Sequence, residues 1–274
     1  MDFAYPPALA ELQDRARGLA DVIARYEDRC EADNGLSPAD HAEIADAVRA
    51  ARLNAINMPA EWGGQGLGIL EQVVVQEQLG RLTNALWDTV WRPANALRAC
   101  DAEQRGRYLV PCIRGARRDC YAVTEADSGS DPRSIRTTAK RNGNGWVVNG
   151  EKWFVTVGDA ADFLVTLAMA ETPVGGEPTL FLIDKQTPGV RVKRVPRYMH
   201  TFVYEHPEFV FDNVEVGDGQ VLGGIGQGYE LTRDWFVEER LMIGARTVGA
   251  AERALELAVE WANSRVQFGS PIAG

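Results

Sequence analysis

The feature that most constrains this chain is a change of texture at Cys120. Before it, apolar residues recur at three- and four-residue spacing, the period of an amphipathic helix. From Cys120 to about Val221, β-branched and aromatic residues alternate between turn signals, with no helical stretch among them. From Tyr229 the helical period returns and is expected to run to Phe268. This order argues against a parallel α/β sheet, which needs helices between its strands. Short, evenly spaced strands without crossovers predict an antiparallel barrel or sandwich instead.

In the first helical block, Pro6-Pro7 opens a helix with Leu9, Leu12, Ala16, Leu19 and Ile23 on one buried stripe. Ser37-Pro38-Ala39-Asp40 reads as an N-cap, a proline at the first helical position and an acid in the first turn. Ile44 and Val48 fall on the inner face of that helix. The Gly-rich stretch from Met58 to Gly68 is either a connector or the wall of a pocket. Helices are predicted over Leu70–Arg81 and Ala85–Ala99, the second interrupted at Pro93, with a short one before Pro111. In the strand block, Asn142-Gly-Asn-Gly145 is a hairpin turn, since its residues tolerate positive φ. Strands are predicted at Trp146–Val148, Trp153–Val157, Phe163–Ala168, Thr179–Asp184, Val190–Val195 and Glu208–Phe211. In the last block Leu241, Ala245, Val248, Ala251, Leu255, Ala258 and Ala262 form a seam suited to close helix packing. The sequence is expected to stop inside that helical domain.

A net charge of −10 argues against nucleic acid or an anionic membrane as partner. No apolar stretch is long enough to span a bilayer, and the N-terminus does not read as a signal peptide. Cys30, Cys100, Cys112 and Cys120 form no Cys-x-x-Cys pair and read as buried free thiols of a cytoplasmic protein. His41, His200 and His206 lack metal-ligand spacing, so no metal site is expected. Gly224-Ile-Gly226-Gln-Gly228 misses the dinucleotide fingerprint: Tyr229 replaces its third glycine, and no strand with an acidic residue follows. It reads as a loop at a domain boundary.

Two segments carry chemistry. In Tyr121-Ala-Val-Thr-Glu-Ala-Asp-Ser-Gly-Ser-Asp131, closely spaced backbone N–H groups and two hydroxyls suit a loop around a phosphate or a polar ring edge. The same residues could also be a plain turn between strands. In Asn149-Gly-Glu-Lys-Trp-Phe-Val-Thr156, an aromatic wall beside a lone hydroxyl suits a flat heteroaromatic cofactor.

Together these segments resemble the flavin-binding signatures of the acyl-CoA dehydrogenase family, with Ala126 where the family usually has proline. The resemblance covers essentially the whole chain, through Glu61-Trp-Gly-Gly-Gln-Gly66, Phe211-Asp-Asn-Val214, Glu239-Arg240 and Arg265-Val-Gln-Phe-Gly269. It implies a helical N-terminal domain (1–117), an antiparallel β-barrel middle domain (118–226) and the first helix of a C-terminal bundle (227–274). It implies FAD, bound by Tyr121, Val123, Thr124, Gly129, Ser130, Phe154, Val155 and Thr156. Phe154 would lie against the flavin, and Thr156 would reach its reactive nitrogen. Arg265, Gln267 and Phe268 would help bind the FAD of a neighbouring subunit, which makes the complete protein a homo-oligomer. The substrate implied is an acyl-CoA met by Ser130 and Arg240, oxidised between its α and β carbons. A carboxylate would take the α proton: Glu239, or an acid in the C-terminal bundle. Electrons would pass to an electron-transfer flavoprotein or similar acceptor, in fatty acid metabolism. A related flavin oxidase or monooxygenase stays open, as does a non-catalytic shortened paralogue within a heteromer, and the chain alone could be inactive.

Overall fold

The computed structural model describes residues 4–274; residues 1–3, where the reading of the N-terminus begins, lie outside the described residues. Helix α1 (Pro7–Ala24) buries Leu12, Ala16, Leu19 and Ile23 along the expected stripe. Helix α2 (Glu27–Asp33) ends at Asn34 in the left-handed region. Helix α3 (Pro38–Ala50) starts on a reciprocal cap, in which the Ser37 hydroxyl accepts from the Asp40 N–H and the Asp40 carboxylate accepts from the Ser37 N–H. With α4 (Ile69–Leu79), these helices share one core that includes Ile23, Ile44, Val48, Val75 and Leu79.

The helix expected over Ala85–Ala99 does not form. Two single 3-10 turns, Leu86–Thr89 and Asn95–Ala99, flank an extended stretch around Pro93. Proline lacks an N–H and disfavours a helical residue before it, so the stretch Trp91–Ala94 takes no regular structure. The helical run through α5 (Ala102–Gln104), the π-turn Arg105–Leu109 and α6 (Val110–Ile113) does not stop before Pro111 but passes through it. The π-turn opens the hydrogen-bond ladder where proline has no donor to give.

The strands are β1 (Asp119–Ala122), β2 (Thr138–Asn142), β3 (Gly145–Lys152), β4 (Phe163–Thr172), β5 (Gly175–Asp184), β6 (Val190–Arg194), β7 (Glu208–Gly217) and β8 (Val221–Leu222). They form one sheet in the order β6-β7-β3-β2-β4-β5-β8, with β1 also on β4. The expected all-antiparallel closed barrel needs correction on two counts. The pairing path is open between β6 and β8, and both β1 and β2 run parallel to β4. Tyr121 pairs with Val165 and Thr138 with Met169, so β1 and β2 lie in tandem along one strand. Between them the chain leaves the sheet over residues 123–137, and this excursion carries the acid-rich segment. The β2–β3 hairpin closes at Asn142 and Gly145, as expected.

Trp153–Val157 is not a strand either. Strand β3 ends at Lys152, and Phe154 and Val157 take positive φ of 51° and 65°. Backbone donors at Trp153, Val155 and Val157 go to the carbonyls of Thr124, Pro207 and Glu205, so loop contacts replace a ladder. The turn buries Val155 and leaves Phe154 and Thr156 exposed.

Helix α7 (Gly228–Ser264) stops four residues short of Phe268. Asn263 and Ser264 bond back to the carbonyls of Val259 and Trp261, which competes with the ladder. A small hairpin follows, β9 (Val266–Gln267) and β10 (Ser270–Pro271), turned by Phe268 and Gly269 at positive φ. The packed face of α7 also differs from the expected seam. Met242, Ala245 and Gly249 are buried, whereas Leu241, Val248 and Leu255 are exposed. The helix crosses α4 so closely that a Cβ on Gly249 would lie 1.8 Å from the Glu77 carbonyl oxygen.

Candidate active site

The excursion after β1, the turn after β3, the loop through Pro93 and the middle of α7 enclose a cavity of about 530 Å³. That size suits a small-molecule site. Its sheet side presents Tyr121, Val123, Thr124, Phe154 and Thr156; its helical side presents Trp235, Phe236, Glu239, Arg240 and Arg246. The Pro93 loop adds Trp87, Asp88, Trp91 and Arg92.

A buried ion pair pins the two sheet-side loops together. Lys152, the last residue of β3, is fully buried and donates to the Val123 carbonyl (2.9 Å) and the Glu125 carboxylate (2.7 Å). Glu125 also accepts from the N–H groups of Arg136 (2.5 Å) and Thr137 (3.0 Å). Burial pushes the Lys152 ammonium down to about 8 against the pull of Glu125. Burial alone would raise Glu125, but Lys152 and the backbone donors outweigh it and hold the carboxyl below its ordinary range. The Trp153 N–H donates to the Thr124 carbonyl (2.8 Å), completing the junction.

Of the residues proposed for flavin, Thr124 and Thr156 line the cavity, and among the described residues neither hydroxyl makes a hydrogen bond. Phe154 is 51% exposed, an uncovered aromatic residue on the cavity wall. Free hydroxyls beside an uncovered ring are a donor set that fits a flavin edge and face. Tyr121 reaches the cavity, but its ring stacks on Trp235 (4.1 Å between centroids) and its hydroxyl meets Thr232 (3.1 Å). Val123 also lines the cavity, and the other proposed flavin residues lie elsewhere. Val155 is buried in the sheet core; Gly129 and Ser130 are exposed on the excursion, outside the cavity lining. Arg265, Gln267 and Phe268 are exposed on the hairpin beyond α7. Arg240 sits at the cavity edge over the Phe236 ring.

Across the cavity, Glu239 is bridged by Arg92 and, at 3.7 Å, by Arg246. Arg246 donates to Gln76 on α4 (2.6 Å). Glu238 turns into the protein, where it pairs with Arg92 and accepts from Asn95 (3.0 Å) and Asn57 (3.4 Å). Burial raises Asp88 against the pull of Arg246 and Arg118, and burial lowers His206, whose Nδ1 is buried without a partner. Sequence reasoning passed over Arg92, Arg246, Asp88 and Lys152. Lys152 lay inside a quoted segment, but nothing in the spacing of the others marks them. Among the described residues, no group of three or more His, Cys, Asp or Glu could hold a metal ion, and no helix is long and apolar enough to cross a membrane. All four cysteines are free and buried.

Models of the acyl-CoA dehydrogenase N-terminal, middle and C-terminal domains match residues 7–116, 120–214 and 226–274. An acyl-CoA dehydrogenase of Bacillus subtilis (strain 168) is 33% identical over 81% of this chain and 60% of its own length. The benzylmalonyl-CoA dehydrogenase of Aromatoleum aromaticum is 32% identical over 96% of this chain and 72% of its own length. A solved structure of PigA with FAD and proline superposes with a TM-score of 0.87 at 26% identity, covering 100% of this chain and 73% of that one. The chain thus spans about 60% of the length of the first curated relatives it matches.

Proposed function

The chain belongs to the acyl-CoA dehydrogenase family, and from that premise we propose that it forms the cofactor- and acyl-facing part of an FAD-dependent enzyme that oxidises an acyl-CoA between its α and β carbons. One observation carries this reading: Thr124, Phe154 and Thr156 meet Glu239 across a single cavity. FAD, when bound, supplies the acceptor for the hydride leaving the β carbon. Phe154 gives the ring a face to lie on, and Thr156 gives its edge a hydroxyl. Val123 adds an apolar contact, and Tyr121 supports the wall through Trp235. Gly129 and Ser130 serve the outer part of the ligands, Ser130 and Arg240 toward acyl-CoA, and Val155 contributes as the buried root of the turn. Glu239 takes the α proton: its carboxylate faces the cavity at 22% exposure, beside the apolar rings of Trp235 and Phe236.

Several wider readings go with this proposal. The three domains are taken as 1–117, 118–226 and 227–274, supported by β1 starting at Asp119 and α7 at Gly228. The exposed hairpin offers Arg265, Gln267 and Phe268 to the cofactor of a second subunit in a homo-oligomer. An electron-transfer flavoprotein or similar partner removes the electrons, in fatty acid metabolism in the cytoplasm; four free thiols suit a reducing compartment. The test is equilibrium titration of the protein with FAD. Thr156→Val should weaken binding by about 1–3 kcal/mol, the worth of a buried hydrogen bond. Unchanged affinity would remove Thr156 from the flavin edge.

A further inference from the structure

Arg92 has no place in the motifs, yet its side chain is only 9% exposed and lies against the cavity. Its backbone is fixed on both sides. The Ala55 N–H donates to the Trp91 carbonyl (2.9 Å), Asn57 donates to the Pro93 carbonyl (2.8 Å), and the Ala94 N–H donates to the Asp119 carboxylate (3.0 Å).

Its two terminal nitrogens are divided between neighbours on α7: Nη1 meets Glu238 and Nη2 meets Glu239. Adjacent helical residues point about 100° apart, so one arginine bridging both restricts both side chains. The two acids are not equivalent. Glu238 is 6% exposed and further held by Asn57 and Asn95, so it serves as a fixed anchor. Glu239 is 22% exposed, faces the cavity and, among the described residues, has the more distant Arg246 as its second cation. We infer that Arg92 is a positioning residue: anchored on Glu238, it holds the Glu239 carboxylate turned into the cavity and ready to accept a proton. This rests on the reading of Glu239 as the base.

The charged and titratable groups around Glu239 are Arg92 from the Pro93 loop, Arg246 and Glu238 from α7, and, further round the cavity, Asp88, Cys112, Arg117, Arg118, Asp119, Cys120, Tyr121, His206 and Arg240. Arg92 is the cation in direct contact, so its loss should disturb Glu239 most. The experiment uses protein labelled with ¹³C at the glutamate carboxyls, in which the Glu239 signal is the one lost in Glu239→Gln. The signal is titrated in the unmodified protein, Arg92→Gln and Arg92→Lys. The expected result is a midpoint raised by about one pH unit or more in Arg92→Gln, and by less in Arg92→Lys, which keeps the charge but loses the fork. If Arg92→Gln does not fold because Glu238 is left buried and unpaired, Arg92→Gln with Glu238→Gln removes both charges, and its midpoint should lie above that of Glu238→Gln alone. A midpoint that does not move in the folded variants overturns the inference. Undiminished acyl-CoA-dependent flavin reduction by Glu239→Gln is a separate failure, since it removes the base on which the inference rests, whatever the titration shows.

Discussion

Lys152 shows how much one residue can carry without a motif to announce it. Glu125 and Lys152 both stood in the segments that pointed to a flavin, but as neighbours of the marked residues. Only the fold reveals them as the pin between the two loops, because their partnership spans 27 residues. Breaking a buried pair leaves the other charge uncompensated, so Lys152→Met should destabilise the protein by about 3–5 kcal/mol in urea unfolding. Replacing both partners, as Lys152→Met with Glu125→Leu, should recover part of that loss. The pair also sets a pH dependence. Lys152 releases its proton near 10.5 when unfolded and near about 8 when folded. Between those values the unfolded chain holds more protons, so the contribution of Lys152 to stability rises with pH through that window. The stability gap between the unmodified protein and Lys152→Met should therefore widen as pH rises through that window. A constant gap would mean that burial does not depress the ammonium.

At the level of elements, what was legible depended on how local the cause was. The stripe of α1, the Ser37 cap and the Asn142–Gly145 hairpin rest on neighbours in sequence, and each formed as read. The tandem placement of β1 and β2 on β4 rests on non-local pairing, which alternation of residue types cannot report. The same holds for Trp153–Val157: an apolar, aromatic run suits a strand, but bonds to Thr124, Glu205 and Pro207 turn the backbone out. On α7 the small residues did mark close packing, though the face was misjudged by about one position. The crossing depends on Gly80 and Gly249, where a Cβ would meet the backbone of the opposite helix. Gly249→Ala should cost about 1–3 kcal/mol through overpacking. Thermal unfolding checks this: a lower Tm is expected, and an unchanged one would mean that α4 and α7 can separate freely. Because Arg246 bonds to Gln76 across the same crossing, the variant should also loosen the helical wall of the cavity.

For the whole molecule, the three blocks of texture corresponded to helices, a sheet and a long helix, but nothing in the texture showed where they would meet. The candidate site lies at that meeting. Thr124, Phe154 and Thr156 come from the sheet loops, Glu239 comes from α7, and Arg92 from a stretch that proline kept out of a helix. Gly129, Ser130, Arg265, Gln267 and Phe268 resembled site residues equally well in sequence, yet they lie outside this cavity. Under the proposed reading they meet parts of the ligands that extend beyond it, or the cofactor of a second subunit. The most direct measurement is anaerobic addition of acyl-CoA to the FAD-loaded protein, following loss of the flavin absorbance band. A shared site predicts bleaching in the unmodified protein and a rate about 100-fold or more lower in Glu239→Gln, with FAD affinity unchanged. A flavin that bleaches equally fast in both would contradict a site with its base on α7.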